Sequence, residues 1–194
     1  MLVINSILHF IIDGICAYMM FGVYGAIDTS AYLYYNLCAF ALQMPFGVLA
    51  DFICIRFFGG DAQRKKRLYQ LITVLGILLT VSGMFTGYIA LGTGNALFHV
   101  GGGLRTILDD HEKQKKGSEL GIFVSPGAVG LFAGKLLSSF KGFSVYIRGF
   151  WIVIAIIGVA AGTILLFRDE RQRAIFKEVQ PKEEPEKSGI PTVI

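Results

Sequence analysis

The stretch "GTGNALFHVGGG", residues 92–103, decides how this chain is to be read. It lies inside an apolar run of membrane-spanning length, about 88–107, yet it carries Asn95 and His99 and closes on three glycines. A polar or ionisable side chain at bilayer depth is costly unless it faces water or a partner, so such groups mark pathways by default. The glycines remove side-chain bulk, which lets a neighbouring helix approach and lets the helix bend or locally unwind.

Composition places the rest of the chain in the same solvent. Hydrophobic residues make up 54% and charged residues 16%, where a soluble domain carries about 25% charged residues. Apolar runs of roughly 20 residues, enough for about 30 Å of hydrocarbon, recur at about 2–24, 30–50, 68–86, 88–107, 119–139 and 148–167. The expected architecture is an all-α membrane protein: a six-helix transmembrane domain over 1–167 and a mobile tail over 168–194. That tail contains "QPKEEPEKSGIP", with little to bury. The first run is interrupted by Asp13 and has no basic leader, so it is expected to stay as a helix. Cys16, Cys38 and Cys54 lack CxxC spacing and are expected to be small apolar residues.

Charge sets the orientation. Arg56 and Arg64–Arg67 follow the second run; Arg105, Lys113, Lys115 and Lys116 follow the fourth; Arg168, Arg171, Arg173, Lys177, Lys182 and Lys187 lie in the tail. Fifteen of the 18 cations thus fall on one side, leaving Lys135, Lys141 and Arg148 for the other. The positive-inside rule puts both termini in the cytoplasm of a cell-membrane protein. Three helices followed by three more, oppositely directed, permit an inverted-topology repeat.

The intramembrane polar groups carry the functional expectation. His9 and Asp13 are four apart, on one face of the first helix. Asp13 lies roughly 15 Å and His99 about 12 Å from the inner ends of their helices at 1.5 Å per residue, with Asn95 one turn further out. His9, Asp13, Asn95 and His99 are therefore expected to line one substrate and proton pathway. A carboxylate with imidazoles can exchange protons near neutral pH. The blander alternatives are an interfacial His9 and an Asn95–His99 pair that only joins helices. Three ligands without a thiolate or a fourth donor are weak grounds for a metal; no metal, cofactor or nucleic acid is expected. No Gly-x-Ser-Gly stretch is present to make an intramembrane serine protease, and no enzyme is expected.

Three separated stretches resemble the N-terminal half of a major facilitator superfamily transporter, most of all its fosmidomycin-resistance branch. "LHFIIDG" resembles a His-x-x-x-Asp signature through His9 and Asp13. "LQMPFGVLAD" resembles Gln-x-x-Phe-Gly-x-x-x-Asp through Gln43, Phe46, Gly47 and Asp51. "GTGNALFHVGGG" resembles Gly-x-Gly-x-Ala-x-Phe-His, with Val100 where a proline usually follows. Gly47, Asp51 and Arg56 match parts of the superfamily's loop signature, whose later basic residues are displaced to Arg64–Arg67. "GIFVSPGAVG" resembles the exporter signature through Gly121, Pro126 and Gly130, with Ser125 and Val129 replacing two glycines.

The resemblance implies a 3+3 inverted-repeat half of a major facilitator fold and alternating access. It also implies gating or conformational roles for Gly47, Asp51, Arg56, Arg105, Gly121, Pro126 and Gly130. Full members have at least twelve helices, so six imply a half-size transporter acting as a parallel homodimer through helices two and five. There Gly121, Gly127, Gly130 and Gly134 would let the partner approach, and Asp51 would lie beside the start of the partner's helix five. The implied substrate is a small organic solute, anionic or drug-like. A non-identical second half, or an adaptor acting through the tail, remain the alternatives.

Overall fold

The computed structural model describes residues 2–160 apart from 60, 141–145, 148, 155 and 159. Among these residues the chain is helical throughout, without a strand. Four helices are long and apolar enough to cross a membrane: α1 (Leu2–Ile27), α2 (Ser30–Phe58), α3 (Ala62–Thr86) and α5 (Ser118–Ser138). Between the last two runs α4 (Tyr88–Glu112), 25 residues long and so about 37 Å. It is the helix expected at 88–107, made less apolar by the glycines, Asn95 and His99. The expected sixth span, 148–167, appears in part as a shorter apolar helix, α6 (Gly149–Gly158). Its remainder and the tail over 168–194 lie outside the described residues.

α3 and α4 form a close antiparallel hairpin around Gly87, whose φ of +131° favours glycine. A Cβ on Gly76 would overlap the Phe98 backbone; on Gly83, that of Leu91; on Gly94 and Gly101, those of Thr80 and Thr73. These glycines let two backbones meet. The hydroxyls of Thr73 and Thr80 donate to carbonyls of their own helix, Tyr69 O at 2.8 Å and Gly76 O at 2.9 Å, so the seam stays satisfied. α4 is uninterrupted α-helix, and of the roles expected of its glycines the close approach of a neighbouring helix is the one displayed, at Gly94 and Gly101. The irregular turns fall elsewhere, as π-helical segments at Met20–Tyr24 in α1 and at Leu37–Ala41 and Cys54–Phe58 in α2.

α1 is the central element. Its apolar window is 72% buried, against 17% for α2 and 22% for α5. α5 lies against it through Gly127, Gly130 and Gly134, where a Cβ would strike the His9 side chain, Phe10 O and Gly14 O respectively. Three of the four glycines expected to meet a second copy thus serve packing within the chain. A small-residue stripe shows that a helix comes close, but not which one. Gly47 and Gly121 do face open space.

The charged ends of α3 and α4 are tied beyond the apolar part of α4. Lys66 reaches Asp109 at 3.0 Å and also Glu112, while Arg105 Nε donates to Asp109 Oδ2 at 3.1 Å. Burial pushes the Asp109 carboxyl up, but the Lys66 hydrogen bond and the Arg105 charge outweigh it and hold it below the usual carboxylate range. Asp110 accepts from Gly117 N at 2.7 Å and Glu119 N at 2.9 Å, capping the start of α5 from within the chain. With Ser118 N and Gly121 N bonded to Lys115 O and Gly117 O, that helix start has little left to offer a partner's Asp51.

Candidate functional site

α1 and α4 run antiparallel, so their two four-residue polar steps meet rung by rung. Asn95 Nδ2 donates to Asp13 Oδ1 at 3.0 Å, and His9 Nε2 lies 2.8 Å from His99 Nε2. Asp13 Oδ2 stands 3.2 Å from His9 Nε2, and Asp13 Oδ1 3.7 Å from His99 Nε2. The structure therefore brings all four expected residues into one cluster. His9 and Asp13 are both buried within the chain. The rings of Phe98 and Phe123, centred 5.6 and 4.6 Å from that of His9, wall it in.

The backbone fixes the protons. His9 Nδ1 lies 2.8 Å from Phe123 O, and His99 Nδ1 lies 2.9 Å from Asn95 O. A carbonyl only accepts, so each Nδ1 carries the hydrogen and donates it. Both Nε2 atoms of the neutral rings then present lone pairs, which repel at 2.8 Å. A hydrogen bond between them requires one further proton. With it the histidine pair carries a single positive charge, balanced by the Asp13 carboxylate alongside. The cluster is thus neutral overall when it holds that proton, the condition under which burying it is least costly.

The cluster opens on a cavity of about 360 Å³ lined by all four residues. Its floor is α1 and α4, and its walls are α2, through Tyr35 and Phe40, and α5, through Val124 and Ala128. One participant escaped the sequence reading, and so did one buried polar residue on the same face of α1. Cys16, one turn beyond Asp13, receives an Asn95 Nδ2 contact at 3.5 Å. Asn5, one turn before His9, is fully buried with Oδ1 lacking a hydrogen-bond partner among the described residues. The i, i+4, i+8 series Asn5–His9–Asp13 was the signal for it. The Phe123 carbonyl had none, being backbone.

The remaining expected residues do not join the cluster. Arg105 is buried in the Lys66–Asp109 tie. Asp51 and Arg56 are exposed on α2, Arg56 5.9 Å from the centre of the Phe57 ring. Gly47 and Gly121 are open, Pro126 sits inside an unbroken α5, and Gly130 contacts α1. No protein-family model, curated protein or solved structure matches the chain. The family resemblance accordingly stands on the quoted motifs alone.

Proposed function

We propose that this chain is a half-size secondary active transporter of the major facilitator type, with both termini cytoplasmic in the cell membrane. In this reading two parallel copies enclose the cavity, and alternating access is coupled to protons for efflux of a small organic solute. The observation that carries it is the buried His9–Asp13–Asn95–His99 cluster, which opens on a cavity between four helices. A joint that only held helices together would gain nothing from two imidazole lone pairs directed at each other beside a carboxylate. Cycling between the proton-bridged pair and a separated pair changes both the charge and the α1–α4 spacing, which is the property a coupled carrier needs.

The test is counterflow of fosmidomycin, as a probe organic anion, in proteoliposomes with an imposed pH gradient. Wild-type flux should collapse with a protonophore, and Asp13→Asn should lose the response to the gradient. Flux that survives both would overturn the coupling. A protein inert to every gradient, with Asp13→Asn silent in cells, would favour the adaptor reading.

A further inference from the structure

We propose that His9, Asp13 and His99 form a binding site for a first-row divalent transition-metal ion of the zinc or cobalt class, loaded from the cavity. Their donor atoms, one from each residue, lie within 4.8 Å of one another. Two imidazole nitrogens and one carboxylate oxygen suit zinc, cobalt or nickel, are too nitrogen-rich for calcium or magnesium, and lack the thiolate that copper(I) prefers.

Each ligand is also held from behind. Metal-binding histidines donate their second ring nitrogen to a carbonyl or carboxylate, which fixes the tautomer and aims the lone pair. Here Phe123 O takes His9 Nδ1 at 2.8 Å, and Asn95 O takes His99 Nδ1 at 2.9 Å. The Asn95 amide holds Asp13 Oδ1 at 3.0 Å, leaving Oδ2 for a cation. All three donors therefore have an outer partner, which a chance meeting of polar groups does not supply.

Space and access fit as well. Gly127 lies beside the cluster, where a Cβ would overlap His9 Nε2 and stand 2.6 Å from Asp13 Oδ2, so its bare backbone keeps the donors clear. Two nitrogens bound tetrahedrally at about 2.0–2.1 Å stand roughly 3.3 Å apart, against 2.8 Å between the two Nε2 atoms. A small turn of His99, whose side chain is 22% exposed toward the cavity, opens that gap. Three protein ligands leave the fourth position to water, the arrangement of an exchangeable site rather than a structural one.

The test uses the full chain, purified in detergent without a polyhistidine tag and titrated with Co²⁺. The expected result is one ion per chain with the intense visible d–d bands of a four-coordinate site, bleached by Zn²⁺. His99→Gln and Asp13→Asn should weaken binding by about tenfold or more, the range seen even for outer partners. His111→Gln, which removes the third histidine of the chain, should leave it unchanged. Zinc-edge X-ray absorption on the unmutated protein should show two imidazoles and oxygen. No visible bands, binding that survives in His99→Gln, binding lost in His111→Gln, or an all-oxygen or thiolate shell would each overturn the site. These readouts involve no flux, so their failure leaves the transport reading standing, and a protein without flux can still bind the ion.

Discussion

A methyl group added at position 127 would meet His9 Nε2 and Asp13 Oδ2, whereas one added at position 121 would meet nothing. His9 cannot easily step aside, because its other nitrogen is held by Phe123 O. Gly127→Ala should therefore part the two imidazoles at an overpacking cost of about 1–3 kcal/mol. Histidine ¹⁵N shifts should lose the bridged signature and the thermal midpoint should fall, while Gly121→Ala should leave the shifts unchanged and not lower the midpoint, since an alanine there meets nothing and favours helix. Asp109 gives a second prediction, about pH. Its folded-state carboxyl is held below the ordinary value of about 3.9. The stability it contributes is complete above that value and is lost as pH falls through the lower folded one. Unfolding midpoints from pH 6 down to 3 should thus drop further for wild type than for Asp109→Asn. His9, Asp13, Asn95 and His99 were legible because polar groups in apolar runs are conspicuous and costly. Their mutual register was legible because both pairs are spaced by four. Which carbonyls hold the rings was not, since backbone acceptors leave no mark in a sequence.

At the scale of elements, the α3–α4 hairpin is the rigid unit and its glycines are not equivalent. Gly83→Leu would drive a side chain into the Leu91 backbone, and backbone cannot turn aside as a side chain can. It should destabilise by about 3 kcal/mol, the upper end for overpacking. Gly103, in α4 of the same hairpin, faces open space, so Gly103→Ala should stabilise by up to about 1 kcal/mol through helix propensity. Thermal unfolding in detergent, followed by circular dichroism, separates the two; equal effects would mean the hairpin is looser than described. The cores of α1 to α5 were readable from apolar run length. Their ends were not: α2 continues to Phe58, α3 begins at Ala62 and α4 runs on to Glu112. Apolar windows stop where charges begin, but backbone hydrogen bonding continues through charged residues whose side chains reach water or one another. Lys66 and Asp109 sit in such extensions and are joined to each other. Of the displaced basic run Arg64–Arg67, Lys66 is thus tied within one hairpin, to Asp109 and Glu112.

For the whole molecule, assembly turns on the outward faces of α2 and α5. Both flank the cavity, and both expose large apolar side chains, among them Phe40, Met44 and Val48 on α2 and Ile122, Val129 and Phe132 on α5. Lipid can cover such faces, but lipid against a cavity that contains two histidines and a carboxylate would leave the polar cluster poorly screened. A second copy, placing its α2 on this copy's α5, would close the cavity with protein, as the transporter reading requires. The glycines now limit how this is tested. Gly127 is buried against α1, so a cysteine there would report damage to the cluster and not assembly. Gly47 and Gly121 are both open and both fall two or three residues inside the expected cytoplasmic ends of their spans, near 50 and 119. With Cys16, Cys38 and Cys54 replaced by alanine, Gly47→Cys combined with Gly121→Cys should give a covalent dimer in native membranes. Neither single substitution should give the same product, because 47 meets 121 of the partner and not its own equivalent. Asp51→Asn should leave this cross-link intact, since Asp110 already caps the start of α5. A dimer captured equally well by either single cysteine, or a chain that remains monomeric at every membrane density tested, would place lipid on these faces and leave the cavity half-built.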